Sequence, residues 1–194
     1  MRFVRTTLLI GVIGAGVTLA AQTPGVGWLD RPLVPWNRPE AGGVPVAAMG
    51  EARDALLARC PVTSPRSGPG LEVTKAGWVA FLPFDRPIAN GDIEVVGGMR
   101  AATESCAPAR FNLFVFAGGR YAGTLSPVEM TTGADGVIGA VRLPPGDVVT
   151  AEFARYATSD SECCPSGRVR VTYRIDRRGA QPVIVPVDVR KLRG

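Results

Sequence analysis

Four cysteines carry the covalent chemistry available to this chain: Cys60, Cys106 and the adjacent pair Cys163-Cys164. A tetrathiolate zinc site wants two to four residues between paired ligands, and Cys163-Cys164 has none. A thioredoxin-like oxidoreductase wants C-x-x-C beside a βαβ pattern, and both are missing. An even number of cysteines in an exported chain points instead to disulfides, and four allow three connectivities. Joining Cys163 to Cys164 spans only ~3.8 Å between Cα atoms, below the usual ~4.4 Å lower bound. The other two connectivities avoid that strain and close loops of roughly 60 to 100 residues, for which chain-entropy models give ~4 kcal/mol or more per bridge. The expectation is that Cys60 and Cys106 each take one member of the Cys163-Cys164 pair, as inert staples.

No histidine occurs in the 194 residues. That absence removes Ser-His-Asp and Cys-His nucleophilic sites, histidine-ligated metals and histidine acid–base catalysis. Ser126-Pro127 has no base to activate its hydroxyl and no G-x-S-x-G elbow, so it reads as a turn. Asp135, Asp147, Glu152 and Asp160 are the acids that could form a glycosidase pair ~5 to 9.5 Å apart, although surface acids are the ordinary reading of all four. Asn90-Gly91-Asp92 and Asp135-Gly136 lack the alternating acids of a calcium loop and read as turns. Gly97-Gly98 has no lysine or helix signal after it and makes no phosphate loop. No residue is therefore assigned to catalysis, cofactor or metal. The formal charge of +5, with 22 basic against 17 acidic residues, is too mild and too spread for nucleic acid.

The elements that must position these residues follow in order. Residues 1–20 open with Arg2 and Arg5, run apolar from Leu8 to Leu19, and end with Thr18 and Ala20 at the −3 and −1 places of a signal-peptidase cut. The apolar run is short of the ~20 residues that span a bilayer, so it reads as a cleaved signal. Residues 21–45 contain Pro24, Pro32, Pro35, Pro39 and Pro45 and read as an extended tether, with Trp28 and Trp36 free to dock on the domain or to meet a membrane or partner. Residues 46–59 read as the one helix: Ala48, Met49, Ala52, Ala55, Leu56 and Arg59 repeat at three and four, and Cys60-Pro61 stops it. Residues 61–70, PVTSPRSGPG, read as a loop.

From Trp78 onward the pattern is β. Asn90-Gly91 marks a turn, and Gly118-Gly119 joins the runs 111–116 and 121–125 into a hairpin. Pro144-Pro145-Gly146-Asp147 joins 137–143 to 148–156. Val169, Val171, Tyr173 and Ile175 alternate with Arg170, Thr172 and Arg174, the period of a strand with one wet face. Asp176-Arg177-Arg178-Gly179 turns this strand into 183–189, where Pro182 and Pro186 favour an edge. The expected architecture is α+β: one domain over residues 46–194, with one N-terminal helix on a largely antiparallel, disulfide-stapled sheet of about seven strands.

The stretch Phe114-Val115-Phe116-Ala117-Gly118-Gly119-Arg120-Tyr121-Ala122-Gly123-Thr124-Leu125-Ser126-Pro127 is followed by Ala134-Asp135-Gly136, by Glu152-Phe153-Ala154-Arg155-Tyr156, and by Cys163-Cys164-Pro165-Ser166. In this order the motifs resemble the LppP/LprE lipoprotein family over the C-terminal half of the chain. The resemblance implies a bacterial envelope protein and brings no catalytic residues. The first cysteine is Cys60, so none stands near the cut to take a lipid, and release to the periplasm or medium is expected. The leading function is an exported, non-catalytic protein that binds or scaffolds an envelope or extracellular ligand, without cofactor or nucleic acid. The alternative is a hydrolase of envelope polymers that uses a carboxylate pair.

Overall fold

A computed structural model describes residues 27–47, 53–60, 67–81, 83–84 and 87–192. The expected signal sequence, residues 48–52 of the expected helix, and Leu82 lie outside the described residues. Among the described residues there are two α-helices, α1 (Arg53–Arg59) and α2 (Gly68–Lys75). Nine strands follow: β1 (Ile88–Asn90), β2 (Ile93–Ala102), β3 (Pro108–Ala117), β4 (Arg120–Thr124), β5 (Met130–Thr131), β6 (Ile138–Arg142), β7 (Val148–Arg155), β8 (Gly167–Asp176) and β9 (Val183–Leu192). The α+β class holds, but the single seven-stranded sheet does not. Two antiparallel sheets form, one ordered β1-β2-β3-β4 with β5 also on β3, the other ordered β6-β7-β8-β9.

Local sequence explains the hairpins. Gly118 and Gly119 stand at φ 59° and 71°, the positive values that a two-residue turn between β3 and β4 demands. In β8, Val169, Val171, Tyr173 and Ile175 are buried while their neighbours are half-buried or exposed. Their face meets Val149, Ala151 and Phe153 of β7 and the inner face of β3, where Phe111, Leu113 and Val115 lie. β3 is buried on both faces from Phe111 to Ala117, because its other face packs under α2 and Trp78. β9, with Pro186, is an edge.

The second helix corrects the end of the loop expected over 61–70, from Gly68 to Gly70; residues 61–66 lie outside the described residues. Ser67 caps it by accepting the Gly70 N–H at 3.0 Å, and Pro69 sits in the first turn, where its missing N–H costs nothing. Gly and Pro that read as a loop are here the start of a helix. Gly97-Gly98 lie inside β2 rather than after it. A Cβ on Gly97 would stand 2.6 Å from Phe84 Cβ, and one on Gly98 would stand 2.7 Å from Trp78 Cβ, so the bare backbone admits aromatic packing on both faces. Among the described residues, the run 78–81 adds the bridge Val79 to Met99.

The cysteines pair differently from the staple expectation. Cys60 is joined to Cys106 and Cys163 to Cys164. Helix α1 sets the first bond: Arg59 at its end donates to the carbonyls of Ala102, the last residue of β2, at 3.3 Å and of Thr103 in the β2–β3 loop at 2.6 Å. That docking seats Cys60 against Cys106 with Cα atoms 5.5 Å apart, within the normal disulfide range. Cys163 and Cys164, on the β7–β8 loop of the other sheet, then have only each other.

Candidate functional site: a groove under the N-terminal strap

The proline-rich stretch lies along the domain from Gly27 to Ala47 as a strap. Its prolines deny it a strand ladder, so side chains make many of its attachments, beside the Ala47 N–H on the Ala76 carbonyl at 2.9 Å and the Pro45 carbonyl, which accepts the Trp78 indole at 2.7 Å. Trp28 meets Phe153 edge-on at 5.1 Å between ring centroids and Trp36 at 5.3 Å, and Trp36 meets Tyr173 at 6.1 Å. Such pairs contribute about 0.5–1.5 kcal/mol each beyond the area they bury. Asn37 takes the place of a strand beside β4. Its Nδ2 donates to the carbonyls of Thr124 and Ile184, both at 3.0 Å, and its Oδ1 accepts the Thr124 N–H at 2.9 Å. One amide thus satisfies both backbone groups at the end of β4 and reaches β9 in the other sheet. Gly123, at φ 134°, leaves the space this amide occupies, since a Cβ there would fall 2.3 Å from Asn37 Cγ. Arg155 completes the seam by bonding Asp30 at 2.8 Å and Asp135 at 2.9 Å.

Between the strap and the outer face of the first sheet lies a groove of about 630 Å³. Trp36, Asn37 and residues 41–46 form the strap wall, and Trp78, Phe114 and Tyr121 reach it from the domain. Its volume falls within the range of small-ligand clefts. Val46 and Val128 line it and are 81% and 53% exposed, a large apolar exposure for residues bordering one cleft. Tyr121 is the polar group with unused capacity. It is buried, its ring packs on Phe116 at 5.8 Å, and no described residue accepts a hydrogen bond from its hydroxyl. Burial, with the Glu72 carboxylate as a second cause, pushes its pKa upward, so the phenol stays a neutral donor. Gln181 is turned inward to donate to the Tyr121 carbonyl at 2.6 Å.

The sequence candidates lie elsewhere. Ser126 lines the groove but is buried, and its hydroxyl is spent on the Val128 carbonyl at 2.7 Å, so it is the turn former expected. The four acids do not gather. Asp135 bonds Arg155 at 2.9 Å, Asp147 bonds Arg177 at 2.9 Å, and Glu152 bonds Arg170 at 2.6 Å. Asp160 accepts the N–H groups of Ala157 at 2.7 Å and Ser166 at 2.8 Å, which hold its carboxyl below the usual range. Asp92 of the Asn90-Gly91-Asp92 turn bonds Arg177 at 2.8 Å and is lowered for that reason. A glycosidase acid needs the opposite, a carboxyl raised by burial. Among the described residues no three His, Cys, Asp or Glu side chains gather as a metal site. Trp36, Asn37, Tyr121 and Gln181 escaped sequence reasoning as site residues. The one signal was two tryptophans in a proline-rich stretch, where a bare tether has no use for them.

Fold and site define a two-sheet β-sandwich with a helix on one outer face and an N-terminal strap roofing a groove. A family model described as LppP/LprE lipoprotein matches residues 92–178. The resemblance read from the motifs therefore holds from the start of β2 to the β8–β9 turn. The strap, both helices and β9 lie beyond the match. No curated protein and no solved structure matches the chain. No helix among the described residues is long and apolar enough to cross a membrane.

Proposed function

We propose that this is an exported, non-catalytic envelope or extracellular protein that binds a ligand in the groove under the strap. The observation that carries the reading is the unpaired, neutral Tyr121 phenol in a groove bordered by exposed Val46 and Val128. A hydrogen-bond donor set among apolar walls is the usual make-up of a small-molecule site. The hydrolase alternative draws no support from Asp135, Asp147, Glu152 and Asp160, each of which already serves an arginine or the backbone. The test uses the dye 1-anilino-8-naphthalenesulfonate on the folded protein. Saturable fluorescence enhancement, weakened in Tyr121→Phe and abolished in Val128→Glu with unchanged circular dichroism, is the expected result. Enhancement that neither substitution alters would remove the groove from consideration.

Export rests on the sequence of residues 1–20 and on the envelope character of the family. N-terminal sequencing of the mature protein should begin at Ala21 or Gln22. Recovery of Met1 in a membrane-integral form would overturn it. We also propose that the folded unit reaches back to the strap, near Gly27, rather than starting at Val46. The aromatic ladder and the Asn37 bonds support this.

A further inference from the structure

The β7–β8 loop carries the sulfurs of Cys163 and Cys164 on residues that are both exposed, and the fold makes no use of their bond. A bridge between neighbours in sequence closes no chain loop, so it draws nothing from the entropy that makes long-range disulfides stabilising. The loop is shaped by other means. Asp160 takes the amides of Ala157 and Ser166, the Asp160 N–H bonds the Ala157 carbonyl at 3.0 Å, and the Tyr156 hydroxyl donates to the Glu162 carbonyl at 2.8 Å. The Cys164 N–H closes a turn on the Ser161 carbonyl at 2.9 Å. Cys60, in contrast, is buried at 3% exposure under α1. Attack on a disulfide requires access to a sulfur along the bond, and here only the Cys163-Cys164 bond has both ends open to solvent.

One side chain distinguishes the two sulfurs. Ser161 Oγ lies 3.2 Å from Cys163 Sγ. An oxidised sulfur carries no proton, so the hydroxyl is the donor. The same hydroxyl stays in place to hydrogen-bond a thiolate formed on Cys163, which makes Cys163 the better leaving group. We infer that Cys163-Cys164 is a thiol–disulfide exchange site for an external thiol or dithiol, which attacks Cys164 and expels Cys163 toward Ser161. In the first step the thiolate of the external thiol forms a bond to Cys164 Sγ as the Sγ–Sγ bond breaks, and its electron pair leaves on Cys163. In the second step the other thiolate of a dithiol, or a second monothiol, attacks the external sulfur of the mixed disulfide and releases Cys164. The external thiols leave as a disulfide. They are oxidised by two electrons, and the two cysteines receive those electrons and the two protons. Run in reverse, the same steps let an external disulfide re-form the bond.

The experiment treats the oxidised, full mature protein with dithiothreitol and quenches it with acid over time. Free thiols are then alkylated and read by peptide mass mapping. Cys163 and Cys164 should become alkylated at least about tenfold faster than Cys60 and Cys106. A brief pulse of glutathione, quenched the same way, should leave its adduct on Cys164, which fragment ions distinguish from Cys163. Ser161→Ala should slow opening several-fold and spread the adduct over both sulfurs, while Ser161→Thr restores wild-type behaviour. A merely structural role for Ser161 would leave the adduct position unmoved. Opening of Cys60-Cys106 first or at the same rate overturns the exchange site. An adduct on Cys163, or an adduct position indifferent to Ser161→Ala, overturns the direction of attack.

Discussion

Two disulfides in one chain do opposite things, and what surrounds their ends explains why. Cys60-Cys106 joins residues 46 positions apart, ties α1 to the β2–β3 loop, and is buried at Cys60. Cys163-Cys164 joins neighbours on an exposed loop that backbone and carboxylate hydrogen bonds already shape. Residue type and oxidation state are the same in both. A disulfide stabilises by the chain freedom it removes from the unfolded state, and only the first bond removes much. The second is left free for reaction. Ranking the connectivities by Cα separation and loop length misses this, because both criteria treat every cysteine in an exported protein as there to hold the fold.

The largest effect expected from breaking that contrast is at the buried bond. Cys60→Ala with Cys106→Ala should lower unfolding free energy by about 4 kcal/mol, the chain-entropy value for a loop of this size, less whatever strain the bond imposes on the native state. Urea denaturation of oxidised wild type and the double variant measures it. A loss under about 1 kcal/mol would mean that the Arg59 contacts to Thr103 and Ala102 hold α1 without the sulfur bond.

The strap offers a long-range tie made without sulfur, and so a second gauge of the bridge. Asn37→Ala removes four hydrogen bonds and leaves the Thr124 N–H beneath the strap without its partner. An unsatisfied buried amide costs about 1–3 kcal/mol, so the variant should fall below wild type by that amount in the same denaturation assay. It should also loosen Trp36, whose indole donates to the Thr124 carbonyl at 3.2 Å, and shift the tryptophan emission to the red. Stability equal to wild type would show that the aromatic ladder alone seats the strap.

What the sequence discloses and what it hides divide along the same physical line. The alternation from Val169 to Ile175, the Gly118-Gly119 turn and the prolines around β9 are local signals, each decided by a few neighbouring residues, and the structure follows them. Gly97-Gly98 and Gly68-Pro69-Gly70 carry the same residue types but take their meaning from distant partners. Phe84 and Trp78 keep the first pair in a strand, and burial of Val73 against the outer face of the first sheet rewards a helix that glycine and proline would not favour alone. The groove was illegible for the same reason. Tyr121 and Asn37 stand 84 positions apart and meet only once the strap has docked.

A smaller effect tests whether a carboxylate, rather than the sulfur bond, frames the β7–β8 loop. The Ser166 and Ala157 amides lower the Asp160 pKa in the folded state, so this contribution is fully present above the unfolded carboxyl value of about 3.9 and is lost as pH falls through the lower folded value. Amide proton exchange at Ala157 and Ser166, corrected for its intrinsic pH dependence, should keep constant protection above about pH 4 and lose it below. Asp160→Ala should abolish protection at both amides at neutral pH with the disulfide intact. Protection that survives this substitution but vanishes on reduction would return the framing role to Cys163-Cys164.

The smallest effect is expected at the pair where sequence reasoning anchored both staples. Cys163→Ala with Cys164→Ala deletes two exposed side chains and a bond that spans a single peptide unit. No loop-closure entropy is recovered by the unfolded chain, and no large apolar surface loses its cover. The hydrogen bonds that carry the loop come from Asp160 and from backbone groups that alanine retains, including the Cys164 N–H to the Ser161 carbonyl. Substitutions of this kind usually stay within about 0.5 kcal/mol, and the urea midpoint should move no further. A loss approaching that of Cys60→Ala with Cys106→Ala would mean that the bonded pair restricts the unfolded hairpin or presses the loop onto Gly133, where Glu162 Cβ already comes within 3.2 Å of the place a Cβ on residue 133 would take. Combining the two double variants separates these cases. Independent sites add to within about 0.5 kcal/mol, whereas two bonds that cooperate in one staple would not.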